Sequence, residues 1–182
     1  MRVFGIDPGS DRTGYGCIDS DGRRHQLIGC GAVRAGAGAT FPDQLAIIYR
    51  ELTALLVEHR PECVAIESIF YAMNARSALK LGHARGVAML AAIEAGVTVV
   101  EYTPAEIKRA VVGYGRAEKP QVGQMVKLLL GLDAIPKPHD AADALAVAIC
   151  HLHNGKIAAI GKRTKAASGT IRSWRDYRPA IK

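Results

Sequence analysis

Three short apolar runs open the chain, at residues 1–6, 15–19 and 25–34, and the stretches between them, DPGSDRTG and SDGRR, consist of turn-forming residues. Gly, Asp, Ser and Pro supply the backbone angles and local hydrogen bonds of tight turns, so this segment reads as a three-stranded antiparallel meander. From 41 to 59 the pattern changes. Leu45, Ile48, Leu52, Leu55 and Leu56 recur near the helical period and give an amphipathic helix that stops at Arg60-Pro61.

Strand and helix alternate from there. A compact apolar strand at 63–66 precedes an Ala- and Leu-rich helix at 76–94, and a strand at 97–101 precedes helices at 104–112, 120–130 and 138–153. A meander followed by this alternation predicts an α/β fold: a five-stranded mixed sheet, three strands antiparallel and then two parallel, flanked by helices. There is no internal repeat. A length of 182 residues suits one domain, expected at 1–153 and followed by a tail at 154–182.

Charge separates the two parts. The tail holds eight basic residues and one acid, which leaves sixteen of each before it, so the net charge of +7 belongs to the tail. A basic segment with little apolar periodicity is expected to be flexible and to meet phosphates electrostatically. It is equally a solvated tail if nothing else points to a polyanion. The four cysteines are far apart, without Cys-x-x-Cys spacing, and read as reduced core thiols. No run reaches the ~20 apolar residues of a membrane span, and the N-terminus lacks the three-part pattern of a signal peptide; a cytoplasmic protein is expected.

Against that background four carboxylates stand out. Asp7 ends the first strand in GIDPGS, and Glu67 ends the strand VAIE where a buried run gives out. Either could be an ordinary strand-end acid, and an Asp before Pro-Gly is also a turn former. Asp140 and Asp143 lie three residues apart on one helix, hence on one face, where like charges repel and call for a compensating cation. Pro138 near the start of that helix would bring Asp140 close to the positive end of the helix dipole. Acids from two strand ends and one helix face can converge at one edge of a sheet. Oxygen-only ligands suit Mg2+ or Mn2+ rather than zinc, and two such ions about 3.5–4 Å apart can divide the work of phosphodiester hydrolysis.

The strings GIDPGSDRTGYG at 5–16, AIESIFYAMNARSALKLGHARG at 65–86, VVGYGRAEKPQV at 111–122 and HDAADALAVAICH at 139–151 closely resemble the bacterial RuvC crossover junction endodeoxyribonucleases, in register over residues 1–153. The resemblance implies an RNase H-like fold and a homodimer that resolves Holliday junctions by paired symmetric nicks in recombination and repair. It also implies 5'-phosphate and 3'-hydroxyl products, two Mg2+ per active site with Mn2+ able to substitute, and cooperation with the branch-migration proteins RuvA and RuvB. Carried over position by position, its catalytic and metal-binding acids fall on Asp7, Glu67, Asp140 and Asp143. Its DNA-binding residues fall on Phe70 and Tyr71, the aromatic at Phe70 being implicated in stacking on or wedging open bases at the crossover, and on Lys108 and Lys119, near the scissile phosphate. Stacking of this kind is worth about 1–3 kcal/mol per base.

Other features stay open at this level. His139, beside Asp140, is an exposed histidine, a proton carrier or an alternative ligand. Ala78, Gly82 and Gly86 form a stripe of small residues on which a helix, from this chain or another, could approach closely. Two rival readings are weaker. An actin-like ATPase also opens on a Gly-x-Asp-x-Gly turn but needs a second such domain, and a non-catalytic junction binder has no use for an acid cluster that repels DNA.

Overall fold

The computed structural model describes residues 1–34, 36, 38–68 and 74–165, with side chains through Asn154. The meander forms as expected: β1 (Arg2–Asp7), β2 (Arg12–Ser20) and β3 (His25–Arg34) pair antiparallel. On the other side of β1, β4 (Cys63–Glu67) and then β5 (Thr98–Tyr102) add in parallel, for the order β3-β2-β1-β4-β5. Most strand ends fall within one residue of the expected limits. β2 starts at Arg12 rather than Tyr15, because the Thr13 and Gly14 backbone continues the ladder with β3.

Residue alternation divides the sheet into two faces. Phe4, Ile6, Val64 and Ile66 point to one core, closed by α1 (Phe41–His59) and α2 (Ala75–Glu94). Val3 and Ala65 point to the other, closed by α3 (Pro104–Val112), α4 (Lys119–Leu129) and α5 (His139–Lys165). The helix limits follow local chemistry. Thr40 and Thr103 cap α1 and α3 with reciprocal Asp43 and Glu106 bonds, and Gly113 ends α3 in a left-handed turn. The last helix is longer than the expected 138–153 and runs to Lys165.

α5 sets the position of everything functional. Between Ala141 and Cys150 every residue is buried except Asp143, because the helix is enclosed by β1 and β2 on one side and α3 and α4 on the other. Alanine at 141, 142, 144, 146 and 148 lets those neighbours come close. The sheet reciprocates with glycine. A methyl group at Gly5 would collide with the Ala144 carbonyl, one at Gly14 with the Asp140 carbonyl, and one at Gly16 with Leu145. The four cysteines are free thiols, three of them buried. Among the described residues no helix is long and apolar enough to cross a membrane.

Candidate active site

Asp7 and Glu67 occupy the same position on adjacent parallel strands, one residue past the paired Ile6 and Ile66. Ile6 and Ile66 face α1 and α2, so alternation turns both carboxyls to the α5 face. Asp7 is cross-strand neighbour to Gly14, and Gly14 is the residue on which the Asp140 backbone rests. The absence of one side chain therefore brings the start of α5 onto the strand end that carries Asp7.

The acids perturb one another strongly. Burial pushes the Asp7 carboxyl up to about 8, reinforced by the charge and hydrogen bonding of Glu67 and by the charge of Asp143, with Lys119 opposing. Glu67 is also raised, chiefly by burial and further by Asp143, while its interaction with Asp7 and the charges of Lys119 and Lys108 pull it down. Two neighbouring carboxyls in a low-dielectric site cannot both ionise cheaply, so the pair holds a proton at neutral pH.

Basic side chains border the pair. Lys119, the first residue of α4, donates to Asp143 at 2.8 Å, and this bond, more than the surrounding charges, raises its ammonium pKa. The backbone N–H of Glu118 donates to the Gln121 side chain at 2.8 Å, which fixes the start of α4 beneath Lys119. Lys108 on α3 lines a small cleft of about 70 Å³ together with Glu67, Lys119 and Asp143. Asp140 takes the other flank. Its carboxylate is 3.8 Å from the Arg12 guanidinium.

The structure thus brings Asp7, Glu67, Asp143, Lys119 and Lys108 together, with Asp140 in the adjoining first turn of α5, near Arg12. Among the described residues no three His, Cys, Asp or Glu side chains stand as a ready-made ligand set. The donors nevertheless fit a hard divalent cation: they are all carboxylate oxygens, they crowd negative charge, and one carboxyl keeps its proton against that crowding. His139 is exposed and borders a cavity of about 450 Å³ with Lys119, Pro120, Ala142 and Asp143. Phe70 and Tyr71 lie outside the described residues. Arg12 and the three glycines were missed by sequence reasoning; their one signal was glycine at alternate positions 14 and 16 of a strand, which clears a single face.

Comparison with known proteins places this arrangement. The family model described as "Crossover junction endodeoxyribonuclease RuvC" matches residues 3–151. A protein of that name from Koribacter versatilis is 58% identical over 84% of this chain and 93% of its own length, and one from Alkalilimnicola ehrlichii is 52% identical over 91% and 99%. Among solved structures, that of Thermus thermophilus RuvC in complex with Holliday junction substrate superposes with a TM-score of 0.82 at 35% identity, covering 87% of this chain and 96% of that one. These matches run through all five strands and both ends of the acid cluster, and the chain belongs to the RuvC family.

Proposed function

We propose that this chain is an endonuclease that resolves four-way DNA junctions by hydrolysing phosphodiester bonds at the carboxylates of Asp7, Glu67, Asp140 and Asp143. The half-buried Asp7–Glu67 pair facing Asp143 carries this reading, since so costly a concentration of acids is useful where a divalent cation and a phosphate meet. The names of its relatives and the junction-bound Thermus thermophilus counterpart supply the substrate class.

Asp7, Glu67 and Asp143 would hold Mg2+ or Mn2+, two ions per site, and Asp140 would complete the set by turning from Arg12. When bound, the ions supply charge neutralisation at the phosphate and a more acidic water. The chain's own residues do the rest. Lys108 and Lys119 draw the scissile phosphate to the acids, and the Asp7–Glu67 pair gives up its shared proton as the site loads. Water adds to phosphorus as the bond to the 3' oxygen breaks, leaving a 5'-phosphate and a 3'-hydroxyl. Phe70 and Tyr71, following Glu67 directly in the sequence, are suited to stack on bases at the crossover.

Paired nicks need two sites, and the outer face of α2 supports a homodimer. Leu79, Leu90 and Ile93 are exposed there beside Gly82 and Gly86. Residues 154–182 form a basic extension that adds phosphate attraction, and RuvA and RuvB are the partners implied in a bacterial cytoplasm. The decisive experiment offers the purified protein a synthetic four-way junction. Mg2+-dependent symmetric nicks support the reading; a shifted band without cutting shows a binder, and nucleotide turnover an ATPase.

A further inference from the structure

The geometry points to a second phosphate subsite, formed by Arg12 and Lys80 on the flank of the acids opposite Lys108 and Lys119, for the DNA backbone adjoining the bond that is cut. It rests on the nuclease reading above and adds to it a set of contacts. Arg12 is the first residue of β2, straight after the turn that follows Asp7. Its guanidinium is half exposed and reaches Asp140 through one nitrogen at 3.8 Å, well short of the two-pronged contact at about 2.7–2.9 Å that guanidinium and carboxylate make when tightly paired. Such a loose pair exchanges readily for a phosphate.

Across the groove stands Lys80 of α2. Its ammonium lies 5.4 Å from the centre of the Phe41 ring and, among the described residues, has no carboxylate partner. The groove between the two cations has a volume of about 670 Å³ and is also lined by Ser10 and Ser77, whose hydroxyls can donate to phosphate oxygens. Ser77 belongs to the first turn of α2, which carries no acid. Two acids do line the groove, Asp11 and Asp140. Asp11 is exposed at the rim, and Asp140 is claimed by the active site in the proposed function, which releases Arg12. A strand crossing the acids would then meet basic side chains on both sides.

The test measures junction affinity of the full chain by fluorescence anisotropy over a NaCl series, with Ca2+ in place of Mg2+ to slow cutting. Arg12→Gln and Lys80→Gln should each reduce the slope of log Kd against log salt by about 0.9, the double variant by about 1.8, and Arg12→Lys should retain the parental slope. Melting curves check folding; should Arg12→Gln lose stability with its Asp140 contact, Lys80→Gln, which breaks no ion pair, carries the test alone. A parental slope in a folded Lys80→Gln or double variant overturns the subsite while leaving the nuclease reading intact. A parent chain that neither binds nor nicks the junction overturns both.

Discussion

Asp7 and Glu67 leave adjacent parallel strands side by side, and their carboxyls share a proton that burial and mutual repulsion retain up to about pH 8 for Asp7. Between the ordinary carboxylate value of 3.8 and about 8, the folded chain binds a proton that the unfolded chain has released. Stability then falls as pH rises across that window and levels off above it. In EDTA, the melting temperature should decline from pH 5 to pH 8, by about 2–4 °C for each kcal/mol involved, and Asp7→Asn should flatten the profile. A melting temperature that rises steadily over this range would contradict the coupling.

Asp140 stands next to Arg12 in the first turn of α5, and its replacement is expected to separate binding from catalysis. Asp140→Asn should lower single-turnover junction cleavage about 100-fold or more, since even residues that merely support metal ligands are worth about 10–100-fold. Junction affinity should be equal or tighter, because one negative charge facing phosphate is gone and Arg12 is released. Cleavage close to the parental rate would remove Asp140 from the site.

The limits of α1 and α3 and of every strand but β2 were legible to within one residue, because local chemistry bounds them, as Thr40 and Gly113 do for the helices; the DPGSDRTG string misplaced the start of β2, since Arg12, Thr13 and Gly14 pair with β3. The acids were legible for a related reason: Asp7 and Glu67 are charges placed where buried strands end. What could not be read was the partner of each charge. Arg12 meets Asp140, and Gly14 meets the Asp140 backbone, only because α5 returns across β1 and β2 from the far end of the chain. Spacing within a segment carries no record of such long-range contacts. It did show that Ala78, Gly82 and Gly86 share a helix face, but not that this face is the exposed one.

Gly14 makes that return possible, and a single methyl group tests it. Gly14→Ala places a carbon against the Asp140 carbonyl, which is backbone and cannot rotate away. Overpacking of this kind costs about 1–3 kcal/mol and displaces whichever element is less constrained. Here that is the first turn of α5, at the edge of the site. The variant should melt several degrees lower and lose more cleavage than junction affinity. Parental melting and parental cleavage together would show that α5 does not need the cleared face.

Gly86 gives the proposed dimer a test whose sign discriminates. Leu79, Gly82, Gly86, Leu90 and Ile93 recur at intervals of three and four and share one face of α2; the three large residues are 64%, 50% and 61% exposed, and nothing lies within 4 Å of a carbon added at either glycine. The inner face, Ala84, Ala88, Ala91 and Ala92, is already seated on this chain, so the outer stripe does not serve an intramolecular neighbour among the described residues. On an isolated chain Gly86→Ala should stabilise α2 by about 0.5–1 kcal/mol, because glycine is the poorer helix former. At a close helix–helix contact the same methyl group should instead weaken association. Sedimentation equilibrium of the parent is therefore expected to show a dimer, Gly86→Ala to raise its dissociation constant, and Leu90→Glu to yield a folded monomer that nicks junctions on one strand without the paired second cut. A parent that sediments as a monomer at micromolar concentration, with Gly86→Ala simply raising its melting temperature, would leave the stripe without a partner.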